Sequence, residues 1–209
     1  MPAHFDPSNF YMLCDHLAKT DPALAGIIER HGYPPLWHRA NTFETLVHFI
    51  LEQQVSLASA LAALMRLKER VEDVTPARLL LLTDEELKAC YFSRQKIVYV
   101  KHLASAILSG QINLDALPGL PDEEIRRQLM QIKGVGHWTT DMYLMMVLNR
   151  PDIFPAGDLA VVRTMKMLMP LPPDVTRQQL TAVAEIWRPY RSIATYLLWH
   201  HYLNRKRIL

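Results

Sequence analysis

The sequence predicts an all-α fold, and three observations carry that prediction. Apolar residues recur at helical spacing along most of the chain. Helix-start signals punctuate the chain at intervals. Only 7 of its 209 residues are glycine, too few for a loop-rich or β-rich chain, and no run of alternating apolar and polar residues marks a strand. Half of the residues are hydrophobic, which allows a sizeable core and argues against disorder.

The elements follow in order. Asn41-Thr42-Phe43-Glu44 is a capped start, with Glu44 three positions after Asn41, and Phe43, Leu46, Val47, Ile50 and Leu51 continue it at helical spacing. Ser56 is the candidate cap of the next helix, through Leu57, Leu61, Leu64 and Leu67. Thr83-Asp84-Glu85-Glu86 is a capping box. Ser93 opens a helix through Ile97, Val100, Ala104 and Leu108 that ends at Gly110. Pro121-Asp122-Glu123-Glu124 puts proline and acids in a first turn, as the helix dipole favours. Further helices are predicted over Trp138 to Leu148, Leu159 to Met169, Thr176 to Trp187 and Pro189 to Tyr202, with a rigid connection over Pro170 to Pro173. No repeat, low-complexity segment or long linker divides the chain.

The net charge of +2 permits a nucleic-acid partner without demanding one. Cys14 and Cys90 are the only cysteines, read as reduced buried thiols of a cytoplasmic protein; two thiolates cannot supply the four ligands of an iron–sulfur cluster. Met1-Pro2-Ala3-His4-Phe5-Asp6 lacks the basic-then-apolar pattern of a signal peptide, and no uninterrupted apolar run of about 18 residues suggests a membrane span. Adjacent histidines on a helix point in different directions, so His200-His201 is a poor metal pair.

The most informative stretch is Leu129-Met130-Gln131-Ile132-Lys133-Gly134-Val135-Gly136-His137-Trp138-Thr139-Thr140. A helix ending near Ile132 meets a Gly-x-Gly turn, and another helix starts at once. Two glycines permit a tight backbone and a close approach of the main chain to a ligand. The free N–H groups at the second helix start suit a phosphate oxygen, a contact that positions DNA without reading its sequence. Gly-x-Gly alone is better read as a plain helix corner. Downstream, Asp158 precedes Leu159-Ala160-Val161-Val162, where an N-cap role by itself accounts for an aspartate.

Taken together, the Gly134-Val135-Gly136 turn, Thr139, the apolar helix after it and Phe154-Pro155-Ala156-Gly157-Asp158 resemble the helix-hairpin-helix, Gly/Pro-rich loop and aspartate signature of the base-excision DNA glycosylase superfamily. Lys133 stands where that superfamily usually has proline, and adds a candidate phosphate contact. Trp138, and Trp187-Arg188-Pro189-Tyr190-Arg191-Ser192 followed by Trp199, resemble the alkyladenine branch, the bacterial inducible 3-methyladenine DNA glycosylases. The resemblance spans roughly Asn41 to Tyr202.

That resemblance implies two helical lobes with a cleft between them in a single glycosylase domain over 1–209. One lobe is residues 42–150; the other is 1–41 with 151–209. It makes Asp158 the catalytic carboxylate. Breaking an N-glycosidic bond builds positive charge on the deoxyribose, and a fixed anion beside C1′ stabilises it. Bifunctional members carry a nucleophilic lysine where this chain has Trp138, so the implied reaction is hydrolysis without strand cleavage. Trp138, Met142 and Trp199 are the implied pocket, suited to a cationic alkylated purine through their aromatic faces; Met142 stands where the branch often has tyrosine. Each tryptophan is equally a core residue by type, and Trp187 is read as one. Gln54 matches the residue that fills the hole left by a flipped base, and Gln53 beside it is a candidate for the orphan base or backbone. Lys133, Gly134, Val135, Gly136, Thr139 and Arg163 complete the candidate DNA contacts, and Lys166, Arg188 and Arg191 are weaker candidates for phosphates. The carbonyls of Met130, Ile132 and Val135 are the implied ligands of a sodium or potassium ion; no other cofactor is required. The implied partner is double-stranded DNA with damaged bases, bound by a monomer in the cytoplasm, at the nucleoid in a bacterium. The competing readings are a glycosylase of the same fold for another lesion and a DNA-binding module without catalysis.

Overall fold

The computed structural model describes residues 4–205, so Met1-Pro2-Ala3 of the N-terminal reading lie outside the described residues. Among these residues all regular structure is helical. The helices are α1 (Phe10–Thr20), α2 (Pro22–His31), α3 (Phe43–Glu52), α4 (Leu57–Val71), α5 (Pro76–Leu81), α6 (Asp84–Ala89), α7 (Arg94–Leu108), α8 (Asp122–Leu129), α9 (His137–Met142), α10 (Leu159–Leu168), α11 (Arg177–Val183) and α12 (Arg191–Asn204). None of the described helices is long and apolar enough to cross a membrane.

The chain divides into two compact units. The middle unit is Arg39–Tyr143; the terminal unit joins Met1–His38 to Leu144–Leu209. The boundaries fall a few residues before those the sequence suggests, for a local reason. Arg39 forms a two-pronged ion pair with Glu52 on α3, and Asn41 donates to the Leu114 carbonyl, so 39–41 belong with the middle helices. After α9, the Arg150 amide returns to the Leu144 carbonyl and Pro151 accepts from Ser192, which ties 144–151 to the C-terminal helices.

In the middle unit α3 packs on α4, α7 and α9, α5 and α6 pack on α7, and α8 packs on α9. The helix starts are locally encoded. Ser56, Thr83 and Ser93 cap α4, α6 and α7, with the full capping box at Thr83 and Glu86. Thr42, not Asn41, caps α3. The Asn41 side chain is committed instead to the Leu114 carbonyl and the Tyr143 hydroxyl, a tertiary use that outcompetes a local cap. The predicted helix from Trp138 is shorter as an α-helix; its continuation, Tyr143–Val147, is a π-helical turn.

In the terminal unit α12 is the central element, packed by α10, α2 and α1. Nine of its 14 residues are buried, so it is enclosed on more than one face and lacks an amphipathic stripe. Its polar core groups are satisfied: Tyr196 donates to the Trp37 carbonyl, Thr195 to the Arg191 carbonyl, and Leu198 accepts from Thr164. The predicted helix over Thr176 to Trp187 is two pieces, α11 and a 3₁₀ turn at Ala184–Trp187. Trp187 is fully buried and donates to Asp21 at 2.7 Å, in keeping with a core role. Cys14 and Cys90 are both buried and free, and burial pushes the Cys14 thiol up to about 12.

Three histidines set the expected acid response of stability. His31 Nε2 lies 3.2 Å from His201 Nδ1, a bond that needs one ring to accept and therefore to be neutral there. Burial holds His31, His201 and His48 below their ordinary value of 6.5. A depressed histidine leaves the unfolded chain to take up protons first, so stability is complete above about 6.5 and lost as pH falls from there toward the folded values. Asp141, raised by burial, works in the opposite direction. Carboxylates held low, such as Glu124 at about 2 beside Arg127, act only at lower pH. Urea unfolding at pH 7.5 and pH 5.5 is expected to show lower stability at pH 5.5, with the difference reduced in His201→Phe; a flat profile would contradict the assignment.

Candidate nucleic-acid interface and carboxylate site

The hairpin is built entirely within the middle unit. Leu129, Ile132 and Val135 are buried and anchor the turn, while Lys133 and Gly136 face solvent. Gly134 has φ +88, and a Cβ there would run into the ring of Tyr99 on α7. Glycine is therefore required twice over, by the backbone and by the close packing of Tyr99. Gly136 precedes α9 and offers no side-chain cap.

Four contacts brace the turn and its flanking helices. Gln53 Nε2 donates to the Gly134 carbonyl at 2.8 Å and to Thr139 Oγ1 at 2.9 Å. The Lys133 amide donates to His102 Nδ1. Arg126 on α8 pairs with the buried Asp141 on α9 at 2.7 Å, clamping the two helices together. Thr139, 2% exposed, is thus corrected from a DNA contact to an internal support, whereas Gln53 gives its amide nitrogen to the hairpin and remains half-buried. Gln54 differs. It is exposed, with φ +59, at the tip between α3 and α4.

An open groove of about 490 Å³ lies beside the hairpin. Gly134, Val135 and Gly136 form one wall, Gln53, Gln54 and Val55 another, and Ser93, Gln95, Lys96 and Tyr99 the third. Lys96 Nζ donates to the Leu51 carbonyl at 2.6 Å, and burial lowers its affinity for the proton. The carbonyls of Met130, Ile132 and Val135 are hard oxygen donors of the kind a monovalent cation takes; that of Ile132 also accepts the Val135 amide, which leaves it a second lone pair. Trp138 is half-buried at the second position of α9, and Met142 at its end is 3% exposed.

The carboxylate belongs to the terminal unit. Asp158 caps α10: its Oδ1 accepts the Val161 amide at 3.0 Å and the Trp199 indole N–H at 3.1 Å. The cap bond thereby also fixes the direction of the carboxylate. Trp199 sits in an aromatic cluster, with its ring 5.5 Å from Tyr196 and 6.2 Å from Trp37. Such an anion, held by two donors at a positive helix end, can stabilise a developing cation without first rearranging. Arg163 is exposed and donates to the Tyr202 hydroxyl. Lys166 donates to the Pro173 carbonyl. Arg191, 12% exposed, is corrected from a phosphate contact, being committed to Asp152 and Glu185; Arg188 pairs with the same two carboxylates but is exposed.

Sequence reasoning misses several residues. Ser93, Gln95, Lys96 and Tyr99 line the groove but lie in a helix read only for its periodicity. Trp37 precedes no helical pattern, so nothing marks it as a neighbour of Trp199. The Arg177 guanidinium rests 3.4 Å from the place a Cβ on Gly157 would occupy, which sets it against the Asp158 loop.

Comparison with known proteins places these features in context. The profile described as HhH-GPD superfamily base excision DNA repair protein matches residues 47–189. The chain is 34% identical over 161 residues to DNA-3-methyladenine glycosylase 1 of Schizosaccharomyces pombe, covering 75% of this chain and 71% of that one. The crystallised 3-methyladenine DNA glycosylase of Schizosaccharomyces pombe, in complex with abasic DNA, superposes with a TM-score of 0.82 at 30% identity, over 90% of this chain and 95% of that one. A DNA-3-methyladenine glycosidase from Bacillus halodurans superposes with a TM-score of 0.76 at 30% identity, over 91% and 88% respectively.

Proposed function

The chain belongs to the HhH-GPD superfamily of base excision DNA repair proteins, and from that membership we propose that it hydrolyses the N-glycosidic bond of alkylated purines in double-stranded DNA, 3-methyladenine foremost. The observation that carries the chemistry is the Asp158 carboxylate, held by the Val161 amide and the Trp199 indole. Relatives named for 3-methyladenine support the substrate class.

The reaction needs little acid catalysis, because an alkylated purine is already cationic and leaves readily. As the bond to C1′ breaks, its electron pair leaves with the base, which departs neutral, and positive charge moves to the sugar; Asp158 stabilises it, and water adds at C1′ and releases a proton to solvent. Aromatic faces such as those of Trp138 and Trp199 favour a cationic base over a normal one. Trp138 holds no amine, so no Schiff base forms and the abasic strand stays intact. The hairpin amides and Lys133 take backbone phosphates, Arg177 supplies a further cation beside the Asp158 loop, and Gln54 fills the space of the flipped nucleotide. The hairpin carbonyls of Met130, Ile132 and Val135 would hold a sodium or potassium ion, which would add positive charge at the hairpin. The protein acts as a monomer, at the nucleoid in a bacterial cell.

The test is base release from methylated duplex DNA. Release of 3-methyladenine with no covalent adduct trapped by borohydride is expected. Trapping would contradict hydrolysis. Release of a different lesion only would reassign the substrate, and tight DNA binding with no release would favour a binding module.

A further inference from the structure

The loop that ends in Asp158 is gripped over five successive residues by the segment around the start of α12. The Arg150 carbonyl accepts from Ser192 Oγ at 2.6 Å, and the Pro151 carbonyl accepts the Ser192 amide at 2.9 Å. Asp152 receives Arg191 through Nε at 2.7 Å and Nη2 at 3.0 Å, and Arg188 through Nη1 at 2.8 Å; its carbonyl also accepts from Arg191. The Ile153 amide donates to Ser192 Oγ at 2.9 Å, and the Phe154 ring meets the edge of Trp187. The Pro155–Asp158 turn, closed by the Asp158 amide on the Pro155 carbonyl, then delivers the carboxylate.

The far end of this loop returns to the same helix. Trp199, which holds Asp158 Oδ1, lies on α12 about 12 Å of helical rise beyond Arg191. One rigid element thus pins the loop at both ends, and the loop has little freedom between the pins. Arg191 is fitted to the task by its planar fork: Nε, Nη1 and Nη2 are all engaged, with Glu185 taking Nη1 at 3.0 Å. Its side chain is only 12% exposed, so it is poorly placed to leave for a phosphate.

We propose that Arg191 and Ser192 are positioning residues, which act through Asp152 and Ile153 to fix the Asp158 carboxylate relative to Trp199. The proposal rests on the glycosylase reading for its kinetic arm only. Displacement of a catalytic group by about an ångström costs up to ~10²-fold in rate. Arg191→Lys keeps the charge but cannot reproduce the fork, and is expected to lower single-turnover base release by about 10–100-fold while leaving DNA affinity nearly unchanged. An independent readout needs no substrate: the indole N–H resonance of Trp199 in the unliganded protein, calibrated with Asp158→Ala, should move toward the unbonded position in Arg191→Lys while that of Trp37 stays in place. If the wild type releases no base, the functional reading fails and the indole arm still decides. An unmoved Trp199 signal, or release and DNA affinity falling in parallel, overturns the proposal. Asp152→Asn and Ser192→Ala provide the same arms should Arg191→Lys fail to fold; collapse of all three overturns a positioning role in favour of a purely structural one.

Discussion

Asp158→Asn is expected to lower single-turnover base release by about 10²–10³-fold, the cost of removing one preorganised group that stabilises transition-state charge. Asparagine preserves the shape and an acceptor oxygen, so the Val161 amide and the Trp199 indole keep their partner and α10 keeps its cap. Only the negative charge is lost. DNA affinity should therefore stay within a few-fold, and the unfolding midpoint should barely move. That separation matters because an N-cap role alone predicts normal turnover with equally unchanged stability, asparagine being as good a cap as aspartate. Measured release and binding of methylated duplex by both proteins decide between them; equal release by wild type and variant would remove Asp158 from the mechanism.

Gly134→Ala is expected to destabilise the middle unit by about 2–5 kcal/mol. A left-handed backbone costs an L-residue roughly 1–2 kcal/mol, and an added methyl forced into packed neighbours costs roughly 1–3 kcal/mol more. Both apply, because φ is +88 and the Tyr99 ring occupies the space of the new carbon. Gly136→Ala is the control: its surroundings are open and its φ of −110 is ordinary, so stability should change little. Combining Gly134→Ala with Tyr99→Ala should recover the steric part and leave the backbone part. Where the Gly134 variant stays folded, its DNA affinity should fall at least ~10-fold, since the hairpin carbonyl held by Gln53 shifts with the turn. Denaturant unfolding and titration with duplex DNA check both; a Gly134 variant matching the Gly136 variant would contradict this account.

Much of the fold is legible in the chain because helix starts are local events. Ser56, Thr83 and Ser93 cap the helices their positions announce, and Gly110 (φ +76) closes α7. Where the reading slips, a distant partner intervenes. Asn41 gives up its cap for Leu114 and Tyr143, more than seventy positions away in sequence. Of the site, the hairpin glycines and Asp158 are legible from the motif and its spacing. The uses of Gln53, Thr139, Arg188 and Arg191 are not. A polar side chain's type states what bonds it can make but not with whom, and in each of these cases the partner comes from another element.

The helical class, the Gly-x-Gly turn and the aspartate after it follow from periodicity, capping chemistry and the steric freedom of glycine, all of which act over a few residues. The division of labour among the polar groups is a matter of packing. Only folding brings Tyr99 over Gly134, Gln53 beneath the hairpin, Trp199 onto Asp158 and Arg191 onto Asp152. The last three pairings satisfy part-buried donors and acceptors, the first fills space only glycine leaves, and the cost of unpaired or clashing groups selects one arrangement among the many that the helices alone would permit.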